Sequence, residues 1–243
     1  VKDGDFYVIN GSKMFITNAE VADIFVITAV TDKESKHRRI SNFIVEKGTP
    51  GFEVGKKENK CGMRASPTNM LHFSDCRVPA QNLLGNEGEG YKQFLTILDG
   101  GRIGIAAQAL GIAKEAMKRS VIYAQEREQF GRKIGEFQAI QFKIADMATK
   151  IKAAEELIYS AAEQKQNGQP YILQAGMAKL FATETATEVA NQAIQIHGGY
   201  GYMREFEVER FWRDAKLLEI GEGTSEVQRI VIYREIMKNL DKL

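Results

Sequence analysis

A carboxylate held between two glycines just ahead of a helix is the most chemically suggestive pattern in this chain. The segment Ile220-Gly221-Glu222-Gly223-Thr224-Ser225-Glu226 supplies it. Glycine tolerates tight turns and close backbone approach, so Glu222 is a candidate positioned base. On spacing alone a second reading stands beside this one, in which Glu222 only favours the positive end of the following helix dipole. The run Gln195-Ile196-His197-Gly198-Gly199-Tyr200-Gly201 ends a helix in paired glycines. These read either as a helix C-cap or as backbone that can press against a flat or phosphorylated ligand. The run is not a GxGxxG after a strand, so a dinucleotide-binding Rossmann site is not supported. Arg127-Glu128-Gln129-Phe130-Gly131-Arg132 with Phe137-Gln138 lies between two long helices and combines charge with aromatic rings. Helix-end charge is its alternative reading. Phe15-Ile16-Thr17-Asn18 closes a strand. Cys61, Cys76, His37, His72 and His197 show no CxxC, HxxxH or HExxH spacing, so neither a metal site nor a disulfide framework is expected.

The elements that must position these residues change character near residue 85. Up to about residue 82 the pattern is that of strands: 6–9, 14–17, 24–30, 42–46, 52–56 and 69–75. Asn10-Gly11 between the first two predicts a hairpin turn. Residues 31–39, including Lys36-His37-Arg38-Arg39, read as a solvated hairpin loop. Beyond Gly85–Gly90 the period becomes helical. A helix over 91–98 is interrupted or kinked at Asp99-Gly100-Gly101 and resumes over 102–126. A second helix carries Ile140, Ile144, Met147, Ile151, Ala154, Ile158 and Ala161 at 4-3-4-3-4-3 spacing, a seam that must face another helix. Asn167-Gly168 ends it, and Pro170 opens a third helix to about Ile196 with an alanine-rich stripe. A final helix starts at Ser225, where Ser225-Glu226-Val227-Gln228 fits a capping box with the serine as cap. The expected fold class is α+β: the remainder of an antiparallel β-domain, residues 1–85, followed by an antiparallel, four-helix-bundle-like all-α domain, residues 86–243.

Composition narrows the function classes. The 33 Lys+Arg and 32 Asp+Glu leave a net charge of +1, which disfavours a nucleic-acid binder driven by bulk charge. A hydrophobic share of 44% with 27% charged residues is that of a globular chain. No apolar run reaches the ~18 residues of a membrane span and no signal peptide is evident, so a soluble protein is expected. The chain opens at Val1 directly into a strand pattern, as the middle of a longer polypeptide would.

Taken in order, these pieces resemble the acyl-CoA dehydrogenase family of flavoenzymes. The resemblance rests on Phe15-Ile16-Thr17-Asn18, on Gly62-Met63-Arg64-Ala65-Ser66-Pro67-Thr68 with Arg77-Val78-Pro79, on Arg127 through Gly131 with Phe137-Gln138-Ala139, on Gln195 through Gly199, and on Glu222-Gly223-Thr224-Ser225. It implies a noncovalent FAD, with Phe15, Ile16 and Thr17 at the isoalloxazine and Thr224 and Ser225 on the cofactor of the same subunit. Arg127, Gln129, Phe130, Gln138 and the turn Gln195, Ile196, His197, Gly198, Gly199 would serve a partner subunit's FAD in a homotetramer. Asp99, Gly100, Gly101, Arg102 and Gly223 would line the acyl-CoA substrate. The implied activity is α,β-dehydrogenation of an acyl thioester to the trans-2-enoyl-CoA, with Glu222 taking the α-proton and an electron-transferring flavoprotein receiving the electrons. No metal, nucleic acid or membrane span is implied. The location would be the cytoplasm in a bacterium or the mitochondrial matrix otherwise. Some branches carry the base just before the arginine numbered Arg102 here, but this chain has Gly101 there. The family usually begins with an all-helical domain and a Gly/Ser-rich stretch, which these residues do not include. Many relatives have an aromatic residue before the base, where Gly221 stands. An oxygen-using acyl-CoA oxidase and a non-catalytic scaffold are the alternatives.

Overall fold

The computed structural model describes residues 1–238. Among the described residues antiparallel sheets come first and five α-helices follow, so the α+β expectation holds. The chain divides into two compact units, Val1–Ile97 and the residues from Leu98 onward.

The first unit holds a four-stranded sheet in the order β1-β2-β6-β5, from β1 (Lys2–Asp3), β2 (Phe6–Thr17), β6 (Thr68–Pro79) and β5 (Phe52–Lys57). A separate pair joins β3 (Ile24–Val30) to β4 (Ile40–Glu46), with residues 31–39 as their loop. Alternate residues of both sheets turn inward to one core of Tyr7, Phe25, Phe43, Phe52, Leu71 and Phe73. Phe52 joins the layers, its ring centroid 4.9 Å from those of Phe25 and Phe73.

Asn10-Gly11 is not a hairpin turn. β2 runs through it for 12 residues because β6, equally long, pairs along both halves. The register slips between Ile9 and Gly11, leaving an extra residue on β6. There Asp75 has φ 48°, its N–H donates to Asn10 Oδ1 (2.7 Å), and Asn10 Nδ2 donates to Asp75 Oδ1 (3.0 Å). The Asn-Gly signal thus marks a bulge, another place that demands unusual backbone. A second slip, between Lys13 and Ile16, adds a residue on β2 where Phe15 has φ 57°.

In the second unit, α1 (Gly90–Glu126) runs without a break through Asp99-Gly100-Gly101. Two glycines cost such a helix about 2 kcal/mol relative to alanine, too little to end 37 residues held by packing. Ala106, Ala109, Ala113 and Ala116 are buried on one of its faces. α2 (Gln138–Gln166) buries Met147, Ile151, Ala154, Ile158 and Ala161 of the expected seam, with Ile140 and Ile144 half-buried. α3 (Ile172–His197) starts two residues after Pro170 and packs against α2, α4 (Val208–Ile220) and α5 (Ser225–Lys238). Its alanines 175, 178, 182, 186 and 193 are fully buried, and side chains this small let the neighbouring helices come close. α4 lies between the third and last of the sequence-derived helices as an additional element. Its buried Val208, Phe211, Ala215 and Leu218 carry the same 3-4-3 signal.

Between α1 and α2 the chain forms a two-residue hairpin, β7 (Glu128–Gln129) with β8 (Arg132–Lys133). Its turn is Phe130-Gly131, with φ 56° and 78°. Two successive positive φ values match the right-handed twist of a short ribbon. Phe130 occupies a position that usually takes Asn or Gly and is 92% exposed.

Candidate active site

In the second unit the structure brings together residues 99–102 of α1, the turn between α4 and α5, and the N-terminal half of α3. Glu222 sits in that turn with φ 53°, followed by Gly223 at φ 96°. Left-handed backbone at a glutamate costs on the order of 1 kcal/mol and persists only where the surroundings hold it. Three contacts do so here. The Gly221 N–H donates to Leu217 O (2.8 Å), closing α4. Gln228 Nε2 donates to Gly223 O (3.1 Å) and Glu222 O (3.4 Å). Lys179 Nζ, from α3, donates to Gly223 O (2.7 Å) and Glu219 O (3.4 Å).

The cap of α5 is Thr224 rather than Ser225. Thr224 O accepts the first helical bond from Gln228 N–H (2.9 Å), and Thr224 Oγ1 accepts from Val227 N–H (3.3 Å). Ser225 is therefore the first residue inside the helix, and its Oγ is buried with no hydrogen-bond partner. Gln228 does reach back, as a capping-box glutamine would, but to carbonyl oxygens of the turn.

The Glu222 carboxylate lies against Gly101: a Cβ placed on that glycine would be 2.3 Å from Glu222 Oε2. The neighbouring Gly100 faces Lys165, whose Nζ would be 2.6 Å from a Cβ there. Arg102 is buried and pairs with Asp99 through Nη1 (2.8 Å), while its Nε finds no partner. Asp99 to Arg102 thus meet Glu222 through Gly101. A cavity of about 460 Å³ opens beside them, lined by Gly100, Ile103, Gly104, Ala162, Lys165 and Gln166.

A second cavity of the same unit, about 450 Å³, gathers Arg127, Gln129, Ile196, His197, Gly198 and Gly199 with Tyr123 and Tyr200. Arg127 stacks over the Tyr200 ring at 5.4 Å. His197 is buried and stacked on Tyr123, with ring centroids 4.2 Å apart. Its Nδ1 lies 2.8 Å from Ala193 O, and since a carbonyl only accepts, Nδ1 carries the proton. Burial lowers the pKa of His197, so the neutral ring is favoured. Gly198 caps α3 with φ 61°. Phe130 at the hairpin tip, Gln138 at the first turn of α2 and Gln195 on the exposed side of α3 do not line this cavity. Phe15, Ile16 and Thr17 belong to the β unit, where the β2 bulge leaves Phe15 70% exposed.

Lys179 is the site residue that motif reading passes over. It stands on the buried face of α3, with Ala175, Ala182 and Ala186 at i−4, i+3 and i+7, and is fully buried. A lysine inside an alanine stripe is the signal that could have found it. Burial pulls its pKa from 10.5 down to about 8; Glu219 and Glu222 oppose that shift, Arg102 adds to it, and Glu184 opposes it.

Among the described residues no helix is long and apolar enough to cross a membrane, and no cluster of His, Cys, Asp or Glu could hold a metal ion. Cys61 and Cys76 are not joined in a disulfide. Residues 1–76 match the acyl-CoA dehydrogenase middle domain and residues 88–237 the acyl-CoA dehydrogenase C-terminal domain. The chain belongs to the acyl-CoA dehydrogenase family. It is 54% identical to a probable acyl-CoA dehydrogenase of Bacillus subtilis and 52% identical to the short-chain specific acyl-CoA dehydrogenase of Clostridium acetobutylicum, in each case over 98% of this chain and 63% of the relative. A chain in a solved structure of the electron transferring flavoprotein of Acidaminococcus fermentans superposes with a TM-score of 0.95 at 54% identity, over 98% of this chain and 63% of that one. These residues thus span less than two thirds of the length of the relatives they match.

The lowered pKa of Lys179 sets a pH dependence of stability. Between about 8 when folded and the ordinary lysine value when unfolded, the unfolded chain binds more protons, so stability contributed at this position rises with pH across that window. Below pH 8 the folded protein carries the whole cost of the buried charge. Urea midpoints of the full-length protein at pH 7 to 10, compared with Lys179→Met, should show the difference moving in favour of the wild type as pH climbs. Parallel curves would assign the proton to another group.

Proposed function

We propose that this chain is the middle and C-terminal part of a flavin-dependent acyl-CoA dehydrogenase acting on short-chain thioesters. The observation that carries the reading is Glu222: a carboxylate on a strained, glycine-flanked turn, standing against Gly101 of α1, where a missing side chain makes room for it. The short-chain preference is supported by the Clostridium acetobutylicum relative.

The residues present fit FAD. Arg127 and Gln129 offer donors suited to a phosphate or a ring heteroatom beside the glycine pair, where a Cβ would meet nothing within 4 Å. Ser225 Oγ is a buried hydroxyl lacking a partner, at the first turn of α5, where a helix favours negative charge. Phe15, Ile16 and Thr17 would serve the isoalloxazine and Thr224 the same subunit's cofactor, while Phe130, Gln138 and Gln195 through Gly199 would reach a partner subunit's FAD. When bound, the flavin supplies the acceptor for the hydride that leaves the substrate β-carbon.

The chain's own part is proton removal and positioning. Glu222 takes the α-proton of the thioester, and the Glu222 backbone N–H is available to polarise the thioester carbonyl, which makes that proton more acidic. Asp99, Gly100, Gly101, Arg102 and Gly223 line the thioester. The Asp99–Arg102 pair fixes this stretch of α1 from within. Electrons pass on to an electron-transferring flavoprotein.

Glu222→Gln in the full-length enzyme should keep yellow FAD and bind acyl-CoA, yet lose turnover by about 10²–10⁴-fold, measured as thioester-dependent flavin bleaching. Near-normal bleaching would remove Glu222 as the base. Gly101→Ala separates geometry from stability. Alanine is worth about 1 kcal/mol more than glycine in a helix interior, so the fold should hold or gain, while the new Cβ turns the carboxylate away and turnover drops about 10–100-fold. Unfolding midpoints and kcat measured on the same preparation decide it. Arg127, Gln138 and Gln195 would act across an interface in a homotetramer, with FAD retention tied to assembly. Sedimentation of the full-length protein as a monomer that keeps stoichiometric FAD would oppose this.

A further inference from the structure

A lysine without solvent contact is an expensive feature for a helix otherwise faced with alanine. Lys179 places its ammonium between the Glu219 carbonyl in the last turn of α4 and the carbonyl of Gly223, at the negative end of the α4 dipole. Gly223 O thereby accepts two bonds, from Lys179 Nζ at 2.7 Å and Gln228 Nε2 at 3.1 Å, which uses both of its lone pairs. The peptide unit so pinned joins Gly223 to Thr224 and closes the far end of two successive residues at positive φ, while the unit between them, through Glu222 O, accepts from Gln228 Nε2 at 3.4 Å. A glutamate leaves such a conformation for ordinary φ unless its surroundings hold it.

The two clamps differ in origin. Gln228 belongs to α5 and moves with the turn it caps. Lys179 comes from the N-terminal half of α3, the helix packed against α2, α4 and α5, and so refers the turn to the rest of the unit. The carboxylate has little latitude, because its Oε2 occupies space that a β-carbon on Gly101 would take. A small rotation of the 222–223 peptide would lift it from that niche.

We infer that Lys179 is a positioning residue for Glu222: its buried ammonium, bonded to the Gly223 carbonyl, holds the turn in the left-handed conformation that seats the carboxylate against Gly101. The inference rests on the proposed role of Glu222 as base. It predicts that losing the ammonium slows the proton-transfer step while substrate binding is largely kept, since Lys179 is fully buried.

The test uses the full-length, FAD-loaded enzyme with Lys179→Met, which keeps the apolar stem and removes charge and donors, beside Glu222→Gln. Expected are a kcat lowered by about 10–100-fold, a KM for acyl-CoA changed by less than about threefold, and faster amide hydrogen exchange in the peptide spanning 219–226. If Lys179→Met does not accumulate as folded flavoprotein, Lys179→Arg, which retains the charge but displaces it, is judged by the same kcat, KM and exchange criteria. Wild-type kcat and exchange with an inactive Glu222→Gln would overturn the role of Lys179 alone. An active Glu222→Gln would overturn the base reading, and with it the catalytic role of the clamp even if exchange were faster. A lowered melting temperature with unchanged kcat and exchange would make Lys179 a stability residue and overturn the proposal.

Discussion

An ammonium buried among alanines can be tolerated only where carbonyl oxygens converge on it, and in this protein a single turn provides them. Lys179 on α3 reaches the carbonyls of Glu219 and Gly223, so the end of α4, the turn and the start of α5 are all referred to one charged atom. The dependence runs both ways. Without the turn the charge would lack partners, and without the charge the consecutive positive φ values at Glu222 and Gly223 would lose a restraint.

Small side chains make that convergence possible. The fully buried alanines of α3 let neighbouring backbones approach, and on α1 Gly101 marks a point where not even a methyl group fits beside Glu222. A core built on alanine and glycine buries less apolar area per residue than one built on leucine. What it gains is short distance between helices, and short distance is what allows a lysine on α3 to reach a carbonyl beyond α4.

The β unit handles its candidate residues by a different device. β2 and β6 pair along their length, and each of the two slips in register between them throws a residue outward: Asp75 on β6, Phe15 on β2. An exposed phenylalanine at positive φ in mid-strand is costly on two counts, apolar exposure and backbone conformation, which is the profile of a residue kept for contact with something else. Phe130, at the tip of the β7–β8 hairpin, shares that profile.

The α+β order, most element spans and the faces of α2 and α3 are legible in the linear string, because hydrophobic period is a local property. The sequence also singled out Glu222 by its flanking glycines. It misassigned features whose local signal is shared by two structures. Asn10-Gly11 permits positive φ in a turn or at a bulge, and only the equal lengths of β2 and β6 choose the bulge. Asp99-Gly100-Gly101 weakens a helix, and only packing along the rest of α1 decides that it continues. Ser225 and Thr224 both make good caps, and the one-residue choice follows from where the chain leaves the turn held by Gln228 and Lys179. Tertiary structure alone set Lys179 under the turn and Gly101 against Glu222. Lys179 and Gly223 are 44 residues apart along the chain and Gly101 and Glu222 are 121 apart, and contacts between helices depend on how packed faces rotate against one another, which no local pattern encodes.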